Sequence, residues 1–251
     1  MLLVVFILSG CTGNKEEKEV LARFENEFKT YLQKKYERSF EIQEIRKGSN
    51  YLGGPTIVSA KAFPTDQKSL VFTMSTDQLG TEYSENYLAV KWSSEANALV
   101  EDKITTIFSS DVKYQYSFSV KEEYLRQEII DEEKQNLTYA LSEKNDQLVP
   151  FIQIIDNQKS VDEGLELSKL LNFIQFLRSN YLQNTRLSLE IYSSDFKKEI
   201  EENPKKFLEL GDTERIRYIQ DKKIIFNLLL QDTDTASIQS IEEITSIYNK
   251  N

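Results

Sequence analysis

An α+β fold, with antiparallel sheets packed by helices, follows from three features of this sequence. The apolar set Val20, Leu21, Phe24, Phe28, Tyr31 and Leu32 has the three-and-four spacing of an amphipathic helix. Three strand-like runs rich in β-branched and aromatic residues follow it, at 40–46, 56–63 and 70–75, punctuated by turn signals at Asn50, Gly53-Gly54-Pro55 and Pro64-Thr65-Asp66. Beyond this helix-then-meander start, helices and strands mix without the extended βα alternation of a parallel α/β sheet.

Taken in order, Asn14 is placed to cap the first helix, with Glu16 and Glu17 near the positive end of its dipole. Ser84 is the expected N-cap of a long second helix marked by Leu88, Trp92, Ala96, Leu99, Ile104, Ile107 and Phe108, with Trp92 as a core residue. A strand at 112–120 alternates Tyr114, Tyr116, Phe118 and Val120. A charged helix at 122–134 then leads to a hairpin of 137–142 with 149–155, turning at Asn145-Asp146. Ser160-Val-Asp-Glu163 reads as a capping box that opens a helix with Leu167, Leu170, Leu171, Ile174, Leu177 and Tyr181 inward.

The order then recurs. A strand at 186–192 precedes a helix from Asp195, a restart at Asn203-Pro204 and a stop at Gly211. A second hairpin, 216–220 with 224–230, leads to a last helix carrying Ile238, Ile241, Ile244, Ile247 and Tyr248. Hairpin, helix, strand, helix thus repeats with a period of about 75–80 residues, longer than a solenoid repeat. Two arrangements fit: similar α+β units at 16–140 and 141–251, with a boundary near 134–147, or one continuous domain.

Composition excludes more chemistry than it selects. With 39% hydrophobic and 29% charged residues the chain has material for a core and is not a disordered stalk. A net charge of −10 repels phosphate backbones and anionic headgroups, which argues against nucleic acid and against electrostatic adsorption to a membrane. Cys11 is the sole cysteine and histidine is absent, so there is no intramolecular disulfide, Cys/His metal site, histidine base or Cys-His nucleophile. No cofactor is indicated.

The N-terminus bears on location. The apolar run from Met1 to Leu8 has the length of a signal-peptide core, whereas a bilayer-spanning helix needs roughly 20 apolar residues. Leu8-Ser9-Gly10-Cys11 resembles the lipobox of bacterial lipoproteins, although no charged residue precedes Lys15, where such signals carry a basic cluster. That resemblance implies a signal peptide at 1–10, a lipidated N-terminus and short tether at 11–15, and a diacylglycerol on Cys11 whose two chains suffice for stable anchoring. The competing reading is a buried strand ending in a core cysteine.

The strings Tyr31-Leu-Gln-Lys-Lys-Tyr36, Phe40-Glu-Ile42, Ala60-Lys-Ala-Phe-Pro64 and Asn86-Tyr-Leu88 resemble uncharacterised Gram-positive lipoproteins described as cystatin-like, over the first third to half of the chain. The resemblance implies a cystatin-like helix-plus-meander at a Gram-positive membrane surface, with a binding or exclusion role. No Gln-x-Val-x-Gly loop stands here, so inhibition of cysteine proteases does not carry over, and there are no catalytic residues to transfer.

Four positions are candidates for contact with a partner. Tyr51 and Leu52 stand at the tip of the Asn50–Pro55 loop, which lacks the Lys-Ser/Thr and the strand-to-helix setting of a phosphate loop. Tyr83 and Tyr87 stand with Glu82, Glu85 and Trp92 in an acidic-aromatic stretch suited to stacking on sugars or peptides. Asp232-Thr-Asp234 with Glu243 mimics part of a calcium loop, but Ala236 and Ser237 occupy its fifth and sixth positions, and helix capping by Asp234 or Thr235 explains it better. The expected function is therefore that of a lipid-anchored extracytoplasmic protein binding a protein or envelope component, with a carboxylate-based envelope hydrolase as the alternative. Oligomeric state is not readable from the sequence.

Overall fold

The computed structural model describes residues 13–49, 56–121, 129–142 and 148–248. The chain divides into two compact units, Met1–Tyr87 with Gln127–Glu132, and Leu88–Arg126 with Glu133–Asn251. The chain thus passes from the first unit into the second at Tyr87–Leu88 and again at Glu132–Glu133, the latter beside the boundary near 134–147 that the sequence suggests. Both units are α+β.

The first unit consists of helix α1 (Gly13–Tyr36) and the strands β1 (Phe40–Ser49), β2 (Thr56–Pro64), β3 (Phe72–Asp77) and β4 (Tyr83–Glu85). The strands form an antiparallel meander in the order β1-β2-β3-β4. Phe24, Phe28, Leu32 and Tyr36, one per turn of α1, are all buried, and so are Val58, Ala60 and Ala62 on β2 and Phe72 and Met74 on β3. Alternation in β2 and β3 therefore reports one buried and one open face, as expected of an antiparallel sheet covered on one side. Tyr36, Phe40, Phe72 and Tyr87 form an aromatic cluster with centroid separations of 4.6–6.0 Å. Each such pair contributes about 0.5–1.5 kcal/mol beyond area burial.

The second unit contains α2 (Tyr87–Ile107, of which all but Tyr87 belongs here), β5 (Lys113–Val120), α3 (Leu137–Ser142), β6 (Leu148–Gln158), α4 (Glu163–Ser179) and β7 (Arg186–Ser193). A 3-10 turn, Ser194–Phe196, then leads to α5 (Lys197–Glu202), α6 (Pro204–Leu208), α7 (Asp212–Gln220), β8 (Ile224–Leu230), α8 (Asp232–Ser237) and α9 (Ile241–Tyr248). The sheet order is β5-β6-β7-β8, antiparallel except for the parallel pair β6–β7 that α4 connects. Six consecutive residues of β7, Leu187 to Tyr192, are buried, because both faces of this central strand are covered. One cover is the cluster of Ile200, Phe207, Leu210 and Tyr218 from α5 to α7, packed on Ile155, Tyr192 and Ile224.

Several local expectations are corrected. Residues 137–142 and 216–220 are helical rather than hairpin arms, so the repeat built on those hairpins is not present. Ser84 lies in β4, and α2 opens at Tyr87, whose N–H is accepted by Glu85 Oε2 at 2.7 Å. The cap of α4 is Asp162, accepting from Leu165 N at 3.1 Å, not Ser160. Gly211 starts α7 instead of ending α6. Asn14 sits inside α1, and 129–134 are not helical. The turn Asn145-Asp146 and residues 122–128 lie outside the described residues. No helix among the described residues is long and apolar enough to cross a membrane.

Candidate functional site

A groove of about 440 Å³ runs along α1 of the first unit, lined by Arg23, Asn26, Glu27, Thr30 and Tyr31 from the helix and by Tyr83 from β4. The helix repeat explains the lining: 23, 27 and 30–31 recur at three-and-four spacing, on the flank beside the buried stripe 24, 28, 32. Tyr83 stacks on Tyr31 with centroids 4.4 Å apart and planes 12° from parallel, and meets Phe28 edge-on at 6.1 Å. The groove therefore has an aromatic floor resting on core.

Its polar groups are few. Arg23 Nε lies 3.4 Å from Glu27 Oε1, and its guanidinium sits over the Phe24 ring at 4.6 Å. Glu27 Oε2 is buried with no hydrogen-bond partner among the described residues. It faces Gly80, where an added Cβ would stand 2.8 Å from that oxygen, a contact the end of the Glu27 side chain can relieve by shifting; it is the left-handed backbone, φ +73°, that calls for glycine. Burial raises Tyr31, against the pull of Lys35, and burial together with Glu27 raises Tyr83, so both phenols stay protonated near neutrality. Tyr31 Oη accepts from Lys35 Nζ at 3.0 Å, which leaves its own proton to donate.

Beneath the groove lies a closed ion pair. Lys35 Nζ donates to Glu85 Oε1 at 2.8 Å, and both side chains are at most 3% exposed. Tyr36 Oη donates to the same oxygen at 2.6 Å, so the carboxylate is satisfied by a cation, a phenol and the Tyr87 amide. Burial works to lower Lys35, but the charge and hydrogen bond of Glu85 outweigh it and leave the ammonium above its ordinary value.

Tyr83 thus lines a groove, as its candidacy requires, whereas Tyr87 does not. Tyr87 is fully buried against Tyr36, Phe40 and Phe72, and its hydroxyl accepts from Arg38 Nη1 at 2.7 Å, so it offers no surface to a partner. Trp92 is core, with Nε1 donating to the Gln135 carbonyl. Cys11, Tyr51 and Leu52 lie outside the described residues. Asp234 acts in helix capping, reciprocally with Gln231, and Glu243 Oε2 accepts from Gln239 N. No group of three or more acidic or cysteine side chains is placed to hold a metal among the described residues.

Carboxylates in the second unit are also engaged. Glu190, fully buried on β7, accepts from Arg215 Nε at 2.5 Å and from Tyr192 Oη at 2.9 Å. Gln153, with its amide oriented to satisfy both atoms, donates to the Leu208 carbonyl at 2.7 Å and accepts from Arg215 Nη2 at 3.2 Å. Burial raises Glu190 above the usual carboxyl range despite Arg215 and Tyr192. Asp156 and Glu166 are bridged by Gln158 Nε2 at 3.0 and 3.1 Å, and Lys169 pairs with Glu166 at 2.8 Å.

Sequence reading found Tyr83 but missed Arg23, Glu27 and Tyr31 as lining. The available signal was positional: these residues flank the apolar stripe of α1 on one side, where the helix meets the edge of a meander. Against known proteins, no family model and no curated protein matches the chain. A crystal structure of a DUF5037 family protein from Ruminococcus gnavus is similar at 14% identity and a TM-score of 0.49, covering 91% of this chain and 100% of that one.

Proposed function

We propose that this protein is a lipid-anchored lipoprotein of the extracytoplasmic face, held by Cys11, that binds a protein or cell-envelope component non-covalently through the tyrosine groove of its first unit. The observation that carries the binding role is the stacked Tyr31–Tyr83 pair, half-buried in a groove with one guanidinium and one carboxylate at its side. Aromatic floors with a few oriented polar groups suit sugars and peptides, since flat faces supply contact area at low entropic cost. The anchoring rests on the Leu8–Cys11 resemblance and on the acidic charge, which disfavours adsorption to anionic lipid. The hydrolase alternative has less support, because Glu85 and Glu190 are each tied to a cation and a phenol.

The test is a photo-crosslinking residue in place of the exposed Thr30, in the anchored protein on intact cells. A defined adduct that disappears in Tyr83→Ala supports the reading. Absence of any adduct together with turnover of a cell-wall substrate sinks it in favour of the hydrolase. Cys11→Ala is expected to release the protein from membranes; retention would refute the anchor.

A further inference from the structure

We propose that the tyrosine groove of the first unit receives a lysine side chain from a protein partner, its ammonium drawn to Glu27 and its aliphatic stem laid along Tyr83, with Leu79 as the apolar anchor beside it. This rests on the reading of that groove as a binding site and names what enters it.

The fold leaves the carboxylate of Glu27 under-supplied. A carboxylate offers about four acceptor sites. Among the described residues Oε2 is buried with no hydrogen-bond partner, and Oε1 has Arg23 Nε alone, at 3.4 Å. Arg23 is meanwhile committed elsewhere, its guanidinium resting over the Phe24 ring at 4.6 Å. The Glu27 side chain is 34% exposed, so a cation entering the groove can meet it.

The charges around the groove favour such a cation. Tyr83 lies in the field of Glu27 and Asp77, opposed by Arg23, while Tyr31 lies in that of Lys35 and Glu85, which cancel in their closed pair. Two carboxylates thus face one guanidinium. Exposed Glu82, next to Tyr83 in the chain, adds to the negative side, and Glu19 and Lys34, at the two ends of this flank of α1 and outside the lining, are opposite in charge. Asp77 accepts from Thr81 N at 2.7 Å and Thr81 Oγ1 at 2.6 Å, which fixes the turn but neutralises no charge. A phosphate or carboxylate is repelled here, whereas an ammonium gains from the carboxylates and from tyrosine rings. A compact ammonium also suits Glu27 better than an arginine fork, which would find Oε1 already engaged.

Leu79 points to a protein as the source of that ammonium. It is 73% exposed, the most exposed large hydrophobic side chain among the described residues. It stands in the Asp77–Gly80 turn, closed by Gly80 N donating to Asp77 O at 3.1 Å, and Gly80 meets Glu27. Covering an apolar side chain held out on a fixed turn is favourable, and a protein segment with an apolar residue near its lysine does so where sugar hydroxyls would not. Tyr31, Tyr83 and Arg23 are also of the residue types enriched at protein interfaces.

The test titrates the isotope-labelled full chain with the blocked peptide acetyl-Val-Lys-Val-Leu-amide. Shift changes are expected at 23–31 and 77–83. Acetylating the peptide's lysine, which needs no protein variant, is expected to weaken binding about tenfold, and Glu in its place to abolish it. Glu27→Gln should remove the preference for lysine over acetyl-lysine. Arg23→Ala, which deletes the competing cation, should tighten binding of the lysine peptide about threefold, and Leu79→Ser should weaken it by a similar factor. Equal binding of the acetylated peptide, weaker binding by Arg23→Ala, or tighter binding of chitotriose at the same residues overturns the lysine assignment while leaving the groove a binding site. An unchanged affinity in Leu79→Ser removes Leu79 from the site. If the lysine peptide, the Glu peptide and chitotriose all leave residues 23–31 and 83 unmoved, the groove reading falls and the proposal with it.

Discussion

Glu85 and Glu190 occupy equivalent situations in the two units and are handled differently. Both are buried carboxylates paired to a cation from a helix and to a tyrosine hydroxyl. Lys35, the partner of Glu85, is itself only 3% exposed, whereas the side chain of Arg215 is 24% exposed and also reaches the solvated Asp212. The first pair is sealed and must be satisfied from within, which is why Tyr36 and the Tyr87 amide converge on it. The second pair borders water, and its guanidinium uses several donors at once, one toward Glu190, one toward Asp212 and one toward Gln153. A compact ammonium suits a closed site; a forked cation suits a boundary.

The largest effect should come from opening the sealed pair. Glu85→Ala strands Lys35 without a counter-charge, and removing one partner of a buried pair costs about 3–5 kcal/mol. Lys35→Met with Glu85→Leu should lie far closer to the parent, since both charges go together. Residue-resolved amide exchange would locate the loss in α1 and β1–β4; a loss under about 1 kcal/mol for Glu85→Ala would show that water reaches the pair.

Arg215→Ala is the matching change in the second unit and should cost less, about 1.5–3 kcal/mol, as solvent can replace part of what the guanidinium supplies. The two pairs should also separate by pH. Burial raises folded Glu190 above its ordinary 4.5, so the folded state holds that proton more tightly than the unfolded chain. Its contribution to stability is full below the ordinary value and is lost as pH rises through the folded value. Glu190→Gln should flatten that slope in the second unit alone. Lys35 is also raised, but from 10.5, so its contribution persists through neutrality and is lost only as pH rises through its higher folded value. A stability–pH curve unchanged by Glu190→Gln would break this contrast.

Asn97→Ala tests the edge rather than the centre. It leaves the N–H and C=O of Tyr116 unpaired, at about 1–2 kcal/mol given their partial access to water, with faster exchange at Tyr116 as the direct readout. In the first unit Asn86 meets Thr73 of β3 in a related way, its Oδ1 accepting from Thr73 N at 2.8 Å and its own N–H donating to Thr73 O at 3.2 Å.

These differences also decide what the sequence made legible. The meander of the first unit was readable because one open face forces strict alternation, as in Val58, Ala60 and Ala62. In the second unit the central strands are covered on both sides, alternation disappears, and short elements lose their signature. Leu137, Tyr139 and Leu141 alternate like a strand, yet Leu137 and Ala140 are the buried pair, a helical spacing too short to recognise in six residues. Ile216, Tyr218 and Gln220 misled in the same way: only Tyr218 is buried, and the acidic start Asp212-Thr-Glu214 was the better guide to α7. The site was half legible. Tyr83 declared itself by composition, but the groove depends on how α1 lies on the meander edge, and the closure of Glu85 by Lys35 spans 50 residues that no local pattern connects.

The cap of α4 gives the smallest effect and the sharpest local choice. Ser160-Val-Asp-Glu163 offers two caps, and the sequence pattern favours Ser160 with Glu163 as a capping box. In the fold Asp162 takes the position, with an extended backbone and its carboxylate on Leu165 N, so that Glu163 and Glu166 both fall in the first turn, near the positive end of the dipole. Asp162→Ala should therefore cost about 1 kcal/mol and Ser160→Ala close to nothing. Because α4 connects the parallel strands β6 and β7, the loss should appear as faster exchange in that unit, with the amides around Lys35 and Glu85 unmoved. The reverse ranking of the two substitutions would return the cap to Ser160 and begin the helix two residues earlier.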